Sequence, residues 1–254
     1  MLMKFYSKFQ LFIKVLPYII LSILIRELAG RFDLWLFQGF PDLLGILMTG
    51  VVLIIGFMLA GVFEDYKEAE QIPGSIAGSF LALRNHGLLV SHLSPEYNPK
   101  ALNSELKIIL QSVQEWLYER LEWKVLIRQI EKLSPALAQL CRSGGDAQVL
   151  EGERNNLLKS LTRIKTIKDT EFVAVGYSIM WTLSIAVMIM ISLVKTEDRI
   201  FAYSCQIVYT FLIFMMIHLI KDMDDPFEYD GKGSADVDIA ILEEAKQILS
   251  CDPK

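Results

Sequence analysis

The sequence has little of what chemistry is usually built from. It holds three histidines and three cysteines in 254 residues. His86 and His92 lie six residues apart, out of phase for two ligands on one helix face, and His218 stands far from both. Cys141, Cys205 and Cys251 are scattered with no C-x-x-C spacing, which argues against a disulfide framework and against a zinc site. G-x-G-x-x-G, Walker, H-E-x-x-H and G-x-S-x-G motifs are all missing. No catalytic residue and no cofactor is therefore expected, and the chain is not read as an enzyme. A net charge of −5 offers no basic face, so nucleic acid is not a partner. Alternating β-branched runs of the sheet-forming kind are also missing, leaving an all-α reading.

What the chain has is apolar length. Hydrophobic residues make up 53% of it, yet charged residues still reach 22%, so a water-facing part must accompany a membrane part. Its central stretch is Pro41 to Glu70, an apolar run of bilayer-crossing length with no charge between Asp42 and Glu64. The run passes directly into Glu64, Asp65, Lys67, Glu68 and Glu70, which reads as one helix leaving the membrane for water. Gly45, Gly50, Gly56, Ala60 and Gly61 thin one side of it, and small residues let membrane helices approach closely.

Three more apolar runs accompany it: Phe9 to Ile25, Phe172 to Val194, and Ile200 to Ile220. Lys14 and Pro17 interrupt the first, and no A-x-A-like site follows, so it is read as a span and not as a secretory signal. Arg26 to Phe40 is a short connection whose Trp35, Phe37 and Phe40 suit a membrane–water boundary. The last two runs form a hairpin through the loop Lys195 to Arg199. These spans are nearly free of interior charge apart from Lys14, which weighs against a coupled transporter.

Between spans two and three lies a long polar middle. Ile72-Pro73-Gly74 marks a break, and Ser94-Pro95 and Asn98-Pro99 bracket a loop. From Leu102 the apolar positions Leu106, Ile109, Leu110, Val113, Leu117 and Leu121 recur at helical spacing. Ser134-Pro135 reads as a cap and first position of a further helix. Gly144-Gly145 then ends that helix and Asp146 opens another. The tail after Lys221 is acidic, with a short helix near Ile239 to Leu249. The expected organisation is 1–71 for spans one and two, 72–171 cytosolic, 172–220 for spans three and four, and 221–254 a cytosolic tail. Fourteen of the 25 basic residues lie in the middle and four in the two short loops, which places both termini in the cytoplasm.

This layout resembles the bestrophin and bestrophin-like membrane family. Ile55-Gly56-Phe57 is similar to the Leu-Gly-Phe at that family's pore constriction. Tyr66 to Arg84 is similar to its helical continuation below the pore, and Asp225-Pro226-Phe227 to the Asn-Pro-Phe that opens its tail. The resemblance implies a homo-oligomer, a pentamer, with the second spans around a central pore and the tail packed back on the middle. It further implies an ion channel for small monovalent ions, chloride or cation, in membrane lipid, here in a bacterial inner membrane. Leu53 and Phe57 are then the constriction, Thr49, Gly50 and Gly61 line the same face, and Glu64, Asp65 and Glu68 follow at the exit. Asp222, Asp224 and Asp225 are candidates for calcium, more readily read as a solvated acidic face. The acidic run of the family's calcium-binding members is broken here by Tyr229 and Gly231-Lys232. A different class of function stays open, a non-conducting scaffold acting through the charged helices of 101–140.

Overall fold

Helix is what both kinds of run become. The computed structural model describes residues 2–94, 96–141, 144–170, 174–229, 233 and 235–251. In chain order these form α1 (Leu2–Phe32), β1 (Phe37–Gln38), α2 (Asp42–Leu93), α3 (Lys100–Leu117), α4 (Trp123–Glu131) and α5 (Leu133–Ala138). There follow α6 (Gly144–Asp169), α7 (Ala174–Ser192), β2 (Val194–Lys195), α8 (Arg199–Asp224) and α9 (Ala240–Ser250). Among the described residues α2, α7 and α8 are each long and apolar enough to cross a membrane.

Contacts divide the chain into two units. One gathers Met1–Tyr66, Glu171–Pro226 and Asp230–Asp236; the other gathers Lys67–Thr170, Phe227–Tyr229 and Val237–Lys254. The first unit is a bundle of α1, α7, α8 and the opening half of α2. Its core joins Val15 of α1, Val51 and Ile55 of α2, Met188 of α7 and Ile213 and Ile217 of α8. Tyr18 stacks on Phe214 at 4.2 Å between centroids and 5° between planes, and Trp181 closes on both at 5.6–5.7 Å. Rings in such offset contacts add about 0.5–1.5 kcal/mol per pair beyond their burial.

The second unit is built on amphipathic helices. The repeat read from Leu102 forms α3, with Leu106, Leu110, Val113 and Leu117 all buried. Its helix ends at Leu117, so Leu121 falls beyond it. Helix α9 packs on α3, with Gln114 Nε2 donating to Glu243 Oε2 (3.0 Å) and Lys246 Nζ to Gln114 Oε1 (3.2 Å). Phe227 is buried, and the Tyr229 hydroxyl donates to the Val237 carbonyl at 3.0 Å.

Several boundaries differ from the sequence reading. The Ile72-Pro73-Gly74 break does not occur: α2 runs through it without interruption. Proline in a helix interior removes one hydrogen bond and costs about 3 kcal/mol. Ile72, Ile76, Ala77, Phe80 and Leu83 are buried around it, and each large apolar side chain taken from water returns about 1.5–3 kcal/mol. Packing outweighs the proline. Ser134-Pro135 does not start its helix either, since α5 begins at Leu133. Gly145 and Asp146 lie inside the first turn of α6, which starts at Gly144. Helix α1 continues past Ile25 to Phe32, so Arg26 is helical and not part of a connection. One short parallel ladder, Phe37 with Val194 and Gln38 with Lys195, was not visible at all; two residues are too few to show a period.

Candidate functional site

Helix α2 carries the sequence-predicted site, and its two faces are unlike. At 100° per residue, Leu44, Val51, Ile55 and Val62 fall on one side and are buried against the bundle, joined by the half-buried Met48, Met58 and Leu59. Leu53 and Phe57 fall opposite and stand 58% and 70% exposed. Glu64 continues the same stripe and is exposed. This helix is the most apolar of the three membrane-length helices, yet only 17% of its most apolar 18-residue window is buried, against 33% in α7 and 39% in α8. The single chain leaves this surface uncovered.

Small residues sharpen the point. A Cβ added at Gly45, Gly50 or Gly56 would meet nothing within 4 Å. Packing inside the chain therefore does not require these glycines, whereas close approach by a neighbouring helix would. Gly45, Ile46, Thr49, Gly50 and Leu53 line a groove of about 560 Å³ that starts at Phe40. The Thr49 hydroxyl donates to the Gly45 carbonyl at 2.9 Å, so its polarity is absorbed within the helix.

The acids beyond the apolar stretch are not equivalent. Glu64 and Asp65 are exposed. Glu68 is held: Arg163 of α6 donates Nε to Oε1 at 2.9 Å and Nη2 to Oε2, a bidentate pair. Those hydrogen bonds keep the Glu68 carboxyl below the usual range. Of the three acids expected at the exit, Glu68 is thus ion-paired within the chain, because α6 brings Arg163 to it.

A second constellation escaped the sequence reading. Arg26 is only 5% exposed in α1. Its Nη1 donates to Gln206 Oε1 of α8 (3.0 Å) and to the Ile191 carbonyl of α7 (3.3 Å), and its Nη2 to the Val194 carbonyl (3.0 Å). Gln206, fully buried, donates Nε2 to the Ser22 carbonyl (2.6 Å) and to Ser192 Oγ (2.9 Å). A guanidinium here satisfies carbonyls at the C-terminal end of α7, where helices end in unpaired acceptors and partial negative charge. One cation locks three helices. Gln206, the one side-chain amide in the last apolar run, was the signal that could have found it.

Comparison with known proteins bears on this geometry. No family model matches the chain, and no curated protein matches it. Among solved structures, a point variant of a bacterial bestrophin homologue from Klebsiella pneumoniae superposes with a TM-score of 0.73 at 13% identity, covering 97% of this chain and 100% of that one. A second variant of that homologue gives 0.73 at 12%, covering 93% and 97%. A further structure of the homologue gives 0.68 at 14%, covering 95% and 96%. The chain has the bestrophin fold.

Within this bestrophin fold the remaining candidates take ordinary places. Asp222 Oδ2 accepts from the backbone N–H of Ala235 at 3.1 Å, and Asp225 follows the last residue of α8. Among the described residues no group of three or more His, Cys, Asp or Glu side chains could hold a metal ion. His218 lies beside the rings of Tyr18 and Trp181 at 5.8 Å. His86 faces Asp146 at 3.7 Å.

Proposed function

We propose that the chain is one subunit of a bestrophin-like ion channel, a pentamer in which α2 of each copy lines a central path. The observation that carries this reading is the contrast on α2: the most apolar of the membrane-length helices leaves its Leu53–Phe57 face and its small residues uncovered. Around a ring these side chains form two apolar layers one turn apart, a dry neck that an ion crosses only when it wets or widens. The bestrophin fold supports the assignment to a channel and not to an enzyme or scaffold.

In this arrangement residues 1–71 and 172–220 supply four spans, 72–171 a cytosolic helical region and 221–254 a cytosolic tail. Both termini face the cytoplasm of a bacterial inner membrane. Glu64 and Asp65, repeated in every copy, concentrate cations below the neck. The test is reconstitution: a closed ring in detergent that passes monovalent ions when placed in liposomes supports the channel. A monomer or dimer, or a ring without flux, overturns it.

A further inference from the structure

The end of α1, its connection to α2 and the α7–α8 turn enclose a pocket of about 550 Å³ that the proposed ion path does not use. Four cations line it, Arg26, Arg31, Lys195 and Arg199, against two acids, Glu27 and Asp33. Both acids are engaged: Glu27 accepts from the Tyr203 hydroxyl, and Asp33 pairs with Lys195 at 3.7 Å. Positive charge is left in excess. Arg26 adds to it from the floor, because its hydrogen bonds go to two carbonyls and an amide, none of them charged. Its guanidinium also lies over the rings of Trp35 (5.9 Å) and Tyr203 (5.2 Å). Gly30 keeps the wall thin, since a Cβ there would touch the Trp35 ring at 3.4 Å.

Position narrows the ligand. The apolar run of α1 ends at Ile25, that of α7 at the turn, and that of α8 begins at Ile200, so the pocket lies where three apolar surfaces give way to polar ones. Leu24, Leu28, Ile200 and Phe201, each within two residues of a lining residue along the chain, are exposed. Arginine recognises phosphate through paired donors, and aromatic rings settle at the headgroup level of a bilayer. A cationic recess with an apolar rim suits a molecule that is phosphate at one end and hydrocarbon at the other.

We propose that this pocket binds the phosphate headgroup of an anionic phospholipid. The site rests on the membrane-spanning part of the proposed function and is independent of conduction. Binding ties the end of α1 to the α7–α8 turn, the same joint that Arg26 locks from within.

The test uses the full-length protein, stripped of lipid in neutral detergent, with thermal unfolding as readout. Phosphatidylglycerol is expected to raise the melting temperature by several degrees more than phosphatidylcholine of the same chains. The double variant Arg31→Gln with Arg199→Gln should abolish that difference. Lys124→Gln with Lys132→Gln, which removes the same charge from exposed positions of the second unit, should keep it. If the first double variant does not fold, Arg31→Gln alone is the readout and should at least halve the difference. Equal shifts from the two lipids, or a difference that survives loss of both arginines, overturn the site. So does a difference lost equally in the lysine control. A full shift from glycerol 3-phosphate or inorganic phosphate alone overturns the lipid assignment in favour of a soluble anion. Flux in liposomes is scored separately, so a protein that prefers phosphatidylglycerol but passes no ion sinks the channel and keeps this pocket.

Discussion

Phe57 and Leu59 are two positions apart on α2 and meet different surroundings. Phe57 points away from the bundle, while Leu59 is half-buried against its core. Phe57→Ala is expected to widen and wet the neck, raising liposome flux several-fold without a large change in melting temperature. Leu59→Ala should instead cost stability, about 2 kcal/mol for a truncated, part-buried leucine, and leave flux per folded ring nearly unchanged. The reverse pattern would put Phe57 on the lipid or packing side. Arg26 belongs to the residue scale too. Arg26→Gln removes at least two of three hydrogen bonds to the guanidinium, and bonds to charged groups contribute about 1.5–3 kcal/mol each. Its melting temperature in detergent should fall more than that of any exposed-arginine variant. A melt matching the native protein's would mean that the Arg26–Gln206 lock is not what holds α1 to α7 and α8.

At the scale of the element, α2 is apolar over its first half and charged after Glu64. Its apolar half is judged by what a neighbour could do with Gly50, which faces open space in the single chain. Gly50→Leu should leave the subunit folded by circular dichroism and break the oligomer by light scattering in detergent. A variant that stays a complete ring would remove this face from the subunit contact. Further along, Glu68 ties α2 to α6 through Arg163. Its carboxyl titrates lower when folded, so the pair contributes stability above the unfolded carboxylate range, near pH 4.5, and that contribution is lost as pH falls through the lower folded value. The pair is half-exposed, which limits it to about 0.5 kcal/mol. Comparison of Arg163→Gln with the native protein from pH 7 down to pH 3 should show a gap at neutral pH that closes in acid. A constant gap across that range would assign the effect of Arg163 to packing.

For the whole molecule, topology and selectivity are the open terms of the proposal. The native cysteines serve as probes: Cys141 and Cys251 are exposed, and Cys205 is part-buried in α8. In intact cells an impermeant thiol reagent should spare Cys141 and Cys251. A cysteine placed at Thr196, with the native three replaced, should be labelled. Labelling of Cys141 from outside would invert the arrangement and place the 72–171 region outside the cell. Reversal potentials under a salt gradient address the ion. With Glu64 and Asp65 exposed at the end of the apolar stretch, a cation preference is expected that weakens in Glu64→Gln with Asp65→Asn. An anion preference untouched by that double change would remove the acids from the path.

Composition and periodicity by themselves determined the helical class, the membrane-length runs and the amphipathic α3, because each depends on which residues recur along one chain. Helical phase alone also grouped Leu53 with Phe57, since side-chain direction on a helix follows from sequence spacing. Tertiary structure decided the rest. It carried α2 through Pro73, where burial of Ile72, Ile76 and Phe80 outweighs a lost hydrogen bond. It brought Glu68 to Arg163, 95 residues away. It drew Arg26 out of a supposed connection into contact with Gln206, 180 residues on. Contacts at such separations leave no local period, because the energy that fixes them is gained only when distant segments have already been brought together.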